Sequence, residues 1–557
     1  MKKKKALALL LAGTMALSLA ACGGEEKVTS ASAGKEINGK VLDGEQSYTE
    51  YLMADPSTLD VAKGNDTYSY TILQSVMEPL TRLDDSTGET VRVPAGATSW
   101  ESNEDGSVWT FHLADNKWTD GKAVTAEDYV YGIQRTLDPT SGSLNSYLIT
   151  CIKNGAAVNA GEMAPTEVGA KAIDEKTLEI TLEQPTPYFL SLTDTRALYP
   201  QRQDFIEQQG DGFGSEADKF IGNGPFKIDT WTHNSEIVLV KNPDYHDAEN
   251  VYLDKLTFKI MTDESAIMNS FDNGTLDAVT VGTKEWMDRF DQKKDATRTD
   301  FDLKTIRFHF YNTQDPLFQN ENIRKAFSAA IDRDDVVKTI YFGAYTAYTG
   351  FVPSTVSAGE LNYREIAGSM DSVVENDDPK ALLLKGMEEL GLGSDPSTIT
   401  VDFTLGGTNQ WLKTYGEYFQ QVFHNVLGVN VNVDQNEWGT FQSKTNSGDY
   451  QMAYMTWEID YNDPVSMLEI MKSNAGSIPT FWTNEEFDEI MNQAAKEMDD
   501  QKRAELCAQA EKLLLEEIPV CPIVNETKHR YAYNYVNNLP VSPFNTMGYK
   551  NIFISGR

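Results

Sequence analysis

Two hydrophobic periods alternate along this chain. Val108-Trp109-Thr110-Phe111-His112-Leu113 alternates apolar and polar positions with period two, as do residues 178–182, and residues 237–240 are a short strand-like run. Each predicts a strand with one face in a core. Other stretches carry the helical period. Ile323, Ala326, Phe327, Ala330 and Ile331 recur every three or four positions, and Asn322 reads as the cap of that helix. Thr262 precedes a helix with Ile267 and Phe271 on one face and Gly274 as its C-cap. Thr125 and Asp128 have capping-box spacing, and Asp138-Pro139 stops the helix they open. Residues 485–517 read as two acidic amphipathic helices broken near Asp499-Asp500. Strands and helices interleaved in this way predict an α/β protein in several lobes. A chain of 557 residues has room for about three to five domains. No repeat of about 20–50 residues is visible, which excludes solenoids and propellers.

The first residues follow a different logic. Lys2, Lys3, Lys4 and Lys5 precede an apolar run over 6–21. Those residues make roughly 24 Å of helix, short of a ~30 Å bilayer core, so the run reads as an export signal rather than a span. It ends in Leu19-Ala20-Ala21-Cys22-Gly23, which matches a bacterial lipobox. The expectation is a signal peptide over 1–21, with Cys22 as the lipidated mature N-terminus. Residues 22–40 are small and polar, a flexible tether. Acyl chains contribute about 0.8 kcal/mol per buried CH₂, so a diacylglycerol with a third chain anchors stably. The protein is thus expected on the extracellular face of the cell membrane, held by lipid alone.

Composition narrows the partners. Hydrophobic residues are 40% and charged residues 24%, the balance of a soluble globular body. Asp and Glu (84) outnumber Lys and Arg (48), giving −36 at pH 7. Such a surface repels phosphate backbones, which argues against nucleic acid. Four cysteines and six histidines are too few for a disulfide scaffold, a zinc-ribbon array or an iron–sulfur protein. Cys151, Cys507 and Cys521 leave room for one disulfide and one free thiol, with the pairing open.

Catalytic patterns are missing. There is no H-E-x-x-H, C-x-x-C or G-x-S-x-G, and the histidines (112, 233, 246, 309, 424, 529) show no i,i+4 pair. Residues 34–41 resemble a P-loop, but Val41 stands where Ser or Thr must reach Mg²⁺. In Gly222-Asn223-Gly224-Pro225, Pro225 blocks the helix start that phosphate binding would use. Acid pairs such as Asp84-Asp85 and Asp377-Asp378 read as solvated surface. No metal, cofactor or catalytic residue is expected. A large exported protein without a nucleophile–base pair suggests a binder, which needs a cleft and a few oriented polar groups.

Eight segments then occur in one family's order. They are Asp55-Pro56-Ser57-Thr58-Leu59-Asp60, Met77-Glu78-Pro79-Leu80, residues 100–113, Lys117-Trp118-Thr119-Asp120-Gly121, Gly222-Asn223-Gly224-Pro225-Phe226, Lys241-Asn242-Pro243-Asp244-Tyr245, residues 271–277 and residues 322–333. Along nearly the whole mature body the chain resembles the family 5 extracellular solute-binding proteins, the oligopeptide- and dipeptide-binding lipoproteins of ABC importers. The resemblance implies an α/β, periplasmic-binding-protein-like fold (type II, cluster C) with two lobes, three domains and a two-strand hinge. Domain I would comprise 41–77, 205–303 and 524–557, domain II 78–204 and domain III 304–523. The hinge strands would cross near Lys304 and Val524, and the lobes would close on ligand.

The same resemblance implies where a peptide would lie. In this family an extended peptide is flanked by backbone strands, which give sequence-independent affinity. Counting from Leu59-Asp60 to Glu78 puts one edge at Asn65, Asp66 and Thr67. The Trp-x-x-Asp-Tyr motif, here Trp457-Glu458-Ile459-Asp460-Tyr461, puts the other at Thr456, Trp457 and Glu458. Asp460 would pair with the α-ammonium, since a buried ammonium needs a carboxylate; its other reading is a cap for the Asn462-Asp463-Pro464 turn. Family members that fix the peptide's carboxylate use Arg or Lys a few residues before this Trp. Here Thr445 and Tyr454 are neutral and Lys444 is the nearest cation. The expected function is a monomeric, lipid-anchored receptor that hands oligopeptides to an ABC permease with separate ATPases. The alternatives are a receptor for oligosaccharide or metal chelate on the same fold, or a non-transport peptide sensor.

Overall fold

A computed structural model describes residue 30 and residues 32–64, 66–84, 91–374, 378–473, 475–540 and 548–557. The signal segment, Cys22 and Asn65 lie outside the described residues. Three larger sheets organise them. In the first, Phe226–Thr232, Glu236–Lys241 and Lys255–Ile260 run antiparallel, and Ser47–Leu52 joins parallel to the last. In the second, Ala97–Ser102, Val108–Leu113, Thr177–Thr181 and Ala170–Asp174 form an antiparallel meander. Apolar side chains of both sheets meet in one core, which includes Tyr48, Phe111, Leu178 and Phe258.

The period-two segments are strands, and the helix caps explain themselves. Helix Ala126–Leu137 opens with the Thr125/Asp128 capping box and stops at Asp138. Two expected caps move. The Thr262 helix is Glu264–Asp272, capped by Asp263, whose carboxylate accepts from the Ala266 N–H. The next helix is Glu321–Ala329, capped by Asn320 rather than Asn322, because Asn320 Oδ1 faces the Ile323 N–H at 3.1 Å. The C-terminal pair is Glu485–Ala494 and Asp500–Glu517, with Asp499 capping the second.

The Gly222-Asn223-Gly224 segment is architectural. The Asn223 and Gly224 N–H groups both donate to Val76 O, and Asn223 Oδ1 accepts from Glu78 N. A Cβ on Gly224 would stand 2.5 Å from the Val76 carbonyl carbon, so only glycine allows this approach to the end of helix Thr67–Val76.

The third sheet has the order 278–281, 520–533, 296–311, 452–458, 400–406, 430–436, with Thr346–Ala347 also on 520–533. Its two long strands, Ala296–Tyr311 and Val520–Tyr533, pair antiparallel along most of their length. One half, with Ala278–Val281, packs Phe271, Phe290, Tyr531 and Tyr533. The other half has Ile306, Phe308 and Phe310 in one core and Tyr311, Cys521 and Ile523 in another.

Between the halves the ladder breaks. Asp302 pairs with Thr527 and Ile306 with Asn525, so three residues face one. Asn525 Nδ2 fills the gap by donating to Leu303 O at 2.6 Å and Thr305 O at 3.2 Å. A second shift follows at Pro522, which has no N–H for the ladder. Lys304, at the centre of the break, is only 2% exposed, and its Nζ donates to the Thr355 carbonyl. Burial pushes its ammonium down to about 7.

Candidate functional site

The strand Met452–Glu458 lies beside that break. On one side it pairs with Ala296–Tyr311, from Tyr311 opposite Met452 to Thr305 opposite Glu458. On the other side the parallel strand Thr400–Gly406 touches only Met452 and Ala453. From Tyr454 to Glu458 the outer edge has no partner strand among the described residues. An edge of this kind can accept an extended chain through its backbone. Thr456 is exposed there, while Trp457 and Glu458 are half-buried. The Trp457 side chain packs at the margin of the core around Phe308, and its indole Nε1 has no hydrogen-bond partner among the described residues.

Asp460 follows directly. The Ile459 N–H donates to Lys304 O at 3.1 Å, which continues the ladder to the residue before it. Asp460 Oδ1 accepts from the Tyr147 hydroxyl at 2.9 Å, a contact from the opposite lobe. The carboxylate is reachable by solvent, yet the walls around it strip enough hydration to raise its pKa. The turn-cap role belongs to Asp463, which accepts from Val465 N and from Arg503 Nε, both at 3.0 Å. Asp460 is therefore not the cap of that turn. Beside it, Tyr461 stacks on Tyr188 of the opposite lobe, with ring centroids 4.2 Å apart, and donates to Glu469 at 2.7 Å.

The expected edge at 65–67 looks different. Thr67 is the first residue of helix Thr67–Val76 and Asp66 is its N-cap, with extended backbone but in no strand. Asp66 accepts from Ser69 N at 2.8 Å and from the Ser57 and Ser69 hydroxyls. Burial works against its charge, but these hydrogen bonds prevail and lower its pKa. The Asp-x-x-Ser spacing is a capping signal that the ungapped count from Leu59-Asp60 passed over.

Lys444 is occupied, 2.6 Å from Asp434. Arg307, which the sequence reading did not single out, stands opposite Thr456 in the ladder. Its Nε donates to Glu526 at 2.7 Å and its Nη1 to the Tyr454 hydroxyl at 2.9 Å. An arginine inside the Ile306-Arg307-Phe308-His309-Phe310 alternation was the available signal. Tyr147 and Tyr188 had none, because nothing local marks a residue that works across a cleft. The three cysteines among the described residues, Cys151, Cys507 and Cys521, are free thiols.

An open strand edge, a carboxylate at its end and tyrosines that reach it from a separate part of the fold form a candidate cleft of the kind a two-lobed solute-binding protein would use. The chain belongs to the bacterial extracellular solute-binding proteins of family 5, whose model matches residues 92–478. It is 34% identical over 487 residues to the dipeptide-binding protein DppE of Bacillus subtilis (strain 168), covering 87% of this chain and 86% of that one. It is 31% identical over 529 residues to the oligopeptide-binding protein OppA of the same strain, covering 94% of each. The unliganded open form of the periplasmic murein tripeptide binding protein MppA superposes with a TM-score of 0.79 at 26% identity, covering 94% of this chain and 99% of that one. The fold is the two-lobed type II form of the periplasmic binding proteins. Among the described residues no helix is long and apolar enough to cross a membrane.

Proposed function

We propose that this protein is a peptide receptor of an ABC importer. The unpaired edge from Tyr454 to Glu458, ending at Asp460, carries the reading. A peptide laid along it would pair through its backbone with Thr456, Trp457 and Glu458. Its α-ammonium would meet Asp460 at the place where the Tyr147 hydroxyl now donates. Asn65 and the capped start of the helix at Asp66 and Thr67 would face it from the other lobe. The names of the DppE and OppA relatives support peptide as the ligand. Domain I would comprise 41–77, 205–303 and 524–557, domain II 78–204 and domain III 304–523, a division that the ladder break at 303–305 supports. The receptor would be monomeric, anchored by lipid on Cys22 after removal of residues 1–21, and would pass its ligand to a permease without chemistry of its own.

Asp460 provides the test. Asp460→Ala leaves the ammonium unpaired in a closed cleft, and truncating one partner of a buried pair costs about 2–5 kcal/mol. Affinity should fall roughly 30-fold or more. N-acetylation of the peptide should cost the wild type a similar factor, and the two losses should not add. Calorimetry on the four combinations decides. Acetylation without cost, or full additivity, sinks the assignment.

A further inference from the structure

A contact outside the candidate site joins the same two parts of the fold. The hairpin between Ala97–Ser102 and Val108–Leu113 turns at Asp105-Gly106-Ser107, and its strands pack in the core of Phe111 and Leu178. Met498 lies in the short link between helices Glu485–Ala494 and Asp500–Glu517, which pack in the core of Phe308. The two segments touch. A Cβ on Gly106 would collide with the Met498 methyl and stand 3.1 Å from its sulfur. Gly106 also has φ +69°, so the turn favours glycine for its backbone as well as for this approach. The meeting adds to those of Tyr147 with Asp460 and of Tyr188 with Tyr461.

The Met498 link is fixed to the candidate site. Arg503 is buried; its Nη1 donates to Glu497 O and its Nε to Asp463, both at 3.0 Å, and its Nη2 to Asp500 at 2.5 Å. Asp463 caps the turn that follows Asp460 and Tyr461. One guanidinium thus holds the residue before Met498 and the end of the ligand-flanking segment in one frame. The Gly106 side is equally settled. The Gly106 N–H donates to Asn103 O, the Ser107 N–H to Asp105 and the Val108 N–H to the Asn103 side chain. Trp109 Nε1 donates to Gly106 O at 3.0 Å. Those donors are spent, and Glu104 and Asp105 add negative charge. A thioether suits such a surface, whereas an S=O oxygen finds no donor on these nitrogens. Met498 is nonetheless 39% exposed, so an oxidant in solution reaches its sulfur.

We propose that Met498 is an oxidation-sensitive latch: its thioether holds the two parts together at the Gly106 turn, and conversion to the sulfoxide releases them. The inference rests on the reading that the two parts are opposite lobes that close on a peptide. The oxidant is a peroxide. A sulfur lone pair attacks one peroxide oxygen, the O–O bond breaks as the S–O bond forms, and with hydrogen peroxide the departing hydroxide takes the proton and leaves as water. Sulfur loses two electrons and the peroxide gains them. The product is a polar group in place of an apolar one, set against a turn whose hydrogen bonds are already made. Because Arg503 ties the Met498 link to the Asp463 turn, the released contact acts on closure of the whole cleft and leaves Asp460 itself unmodified.

The test compares the wild type with Met498→Leu, which keeps an apolar contact and cannot be oxidised, and with Met498→Gln, which puts an amide dipole where the sulfoxide would stand. Each is measured before and after treatment with hydrogen peroxide. Mass spectrometry of proteolytic fragments locates the sulfoxides, small-angle scattering without ligand gives the radius of gyration, and calorimetry gives the affinity for tri-alanine. Peroxide should oxidise Met498, raise the radius of the wild type and weaken its binding of tri-alanine about three- to tenfold. Met498→Leu should start near the wild type and keep its radius and affinity, and Met498→Gln should start with the larger radius and the weaker affinity. Methionine sulfoxide reductases with a dithiol should restore the oxidised wild type. An unmodified Met498 under conditions that oxidise Met53, which is 45% exposed, overturns the proposal. So does an equal peroxide loss in Met498→Leu, or a fully oxidised Met498 with unchanged radius and affinity. If tri-alanine binds none of the proteins, the peptide reading falls and the radii alone decide the latch.

Discussion

Replacing Lys304 with Met should stabilise the protein most at low pH and progressively less as the solution becomes alkaline. Lys304 is 2% exposed and sits in the ladder break between the long strands. Burial holds its ammonium at about 7 in the folded state, against about 10.4 in an unfolded chain. The gap is roughly three units, and at 1.36 kcal/mol per unit the buried charge costs on the order of 4 kcal/mol. Below about pH 7 both states are protonated and the full cost is present. Between about pH 7 and 10.4 the unfolded chain holds more protons than the native one, so native stability rises with pH. Methionine fits the same volume without the charge and has no such slope. Urea unfolding of both proteins at pH 6.5 and pH 9 provides the assay. The variant's advantage should shrink by roughly 2–3 kcal/mol over that interval. Parallel pH profiles would refute the argument, because they would mean that Lys304 keeps its ordinary proton affinity in the fold.

Two further outcomes are expected. Tyr188→Ala removes the stack on Tyr461 between the lobes; such a pair contributes about 0.5–1.5 kcal/mol, so affinity for every peptide should fall by the same factor of about two to ten. Calorimetry that found different factors for different peptides would make Tyr188 a direct ligand contact instead. Cys22→Ala should abolish acyl labelling and release the protein or leave it unprocessed; unchanged labelling would remove Cys22 as the anchor.

What could be read from the chain divides along a physical line. Local signals transferred well. The Val108–Leu113 strand, the Thr125/Asp128 box and the break at Asp499 depend on contacts within a few residues, and each stands where its spacing put it. The moved caps, at Asp263 and Asn320, show the limit of such signals, since polar residues one or two positions apart compete for one helix start and only geometry selects. At 66–67 the local structure is a helix start rather than a strand. A count without gaps assumes a constant loop length, and the Asp66 cap with Ser57 and Ser69 fixes a tight helix start instead. The site itself was half legible. Asp460 belongs to a motif, but its Tyr147 partner is 313 positions away. A cleft assembled from separate lobes has no local spacing to reveal it.

The position of Asp460 also bears on how capture and closure would be joined. The last bond of its strand runs from Ile459 N to Lys304 O, so the carboxylate is one residue from the interrupted ladder. A break filled by the Asn525 side chain can bend without losing regular ladder bonds, because Leu303 O and Thr305 O are already held by a flexible amide. Rotation at 303–305 would carry Thr456, Trp457, Glu458 and Asp460 as one body relative to Tyr147 and Tyr188. The ammonium pair and the tyrosine stack would then form or separate in one movement. A ligand that satisfies Asp460 differs from solvent in how well it bridges the lobes, and only such a differential contact can shift an equilibrium between open and closed states. A peptide lacking its ammonium would therefore lose closure along with the ion pair.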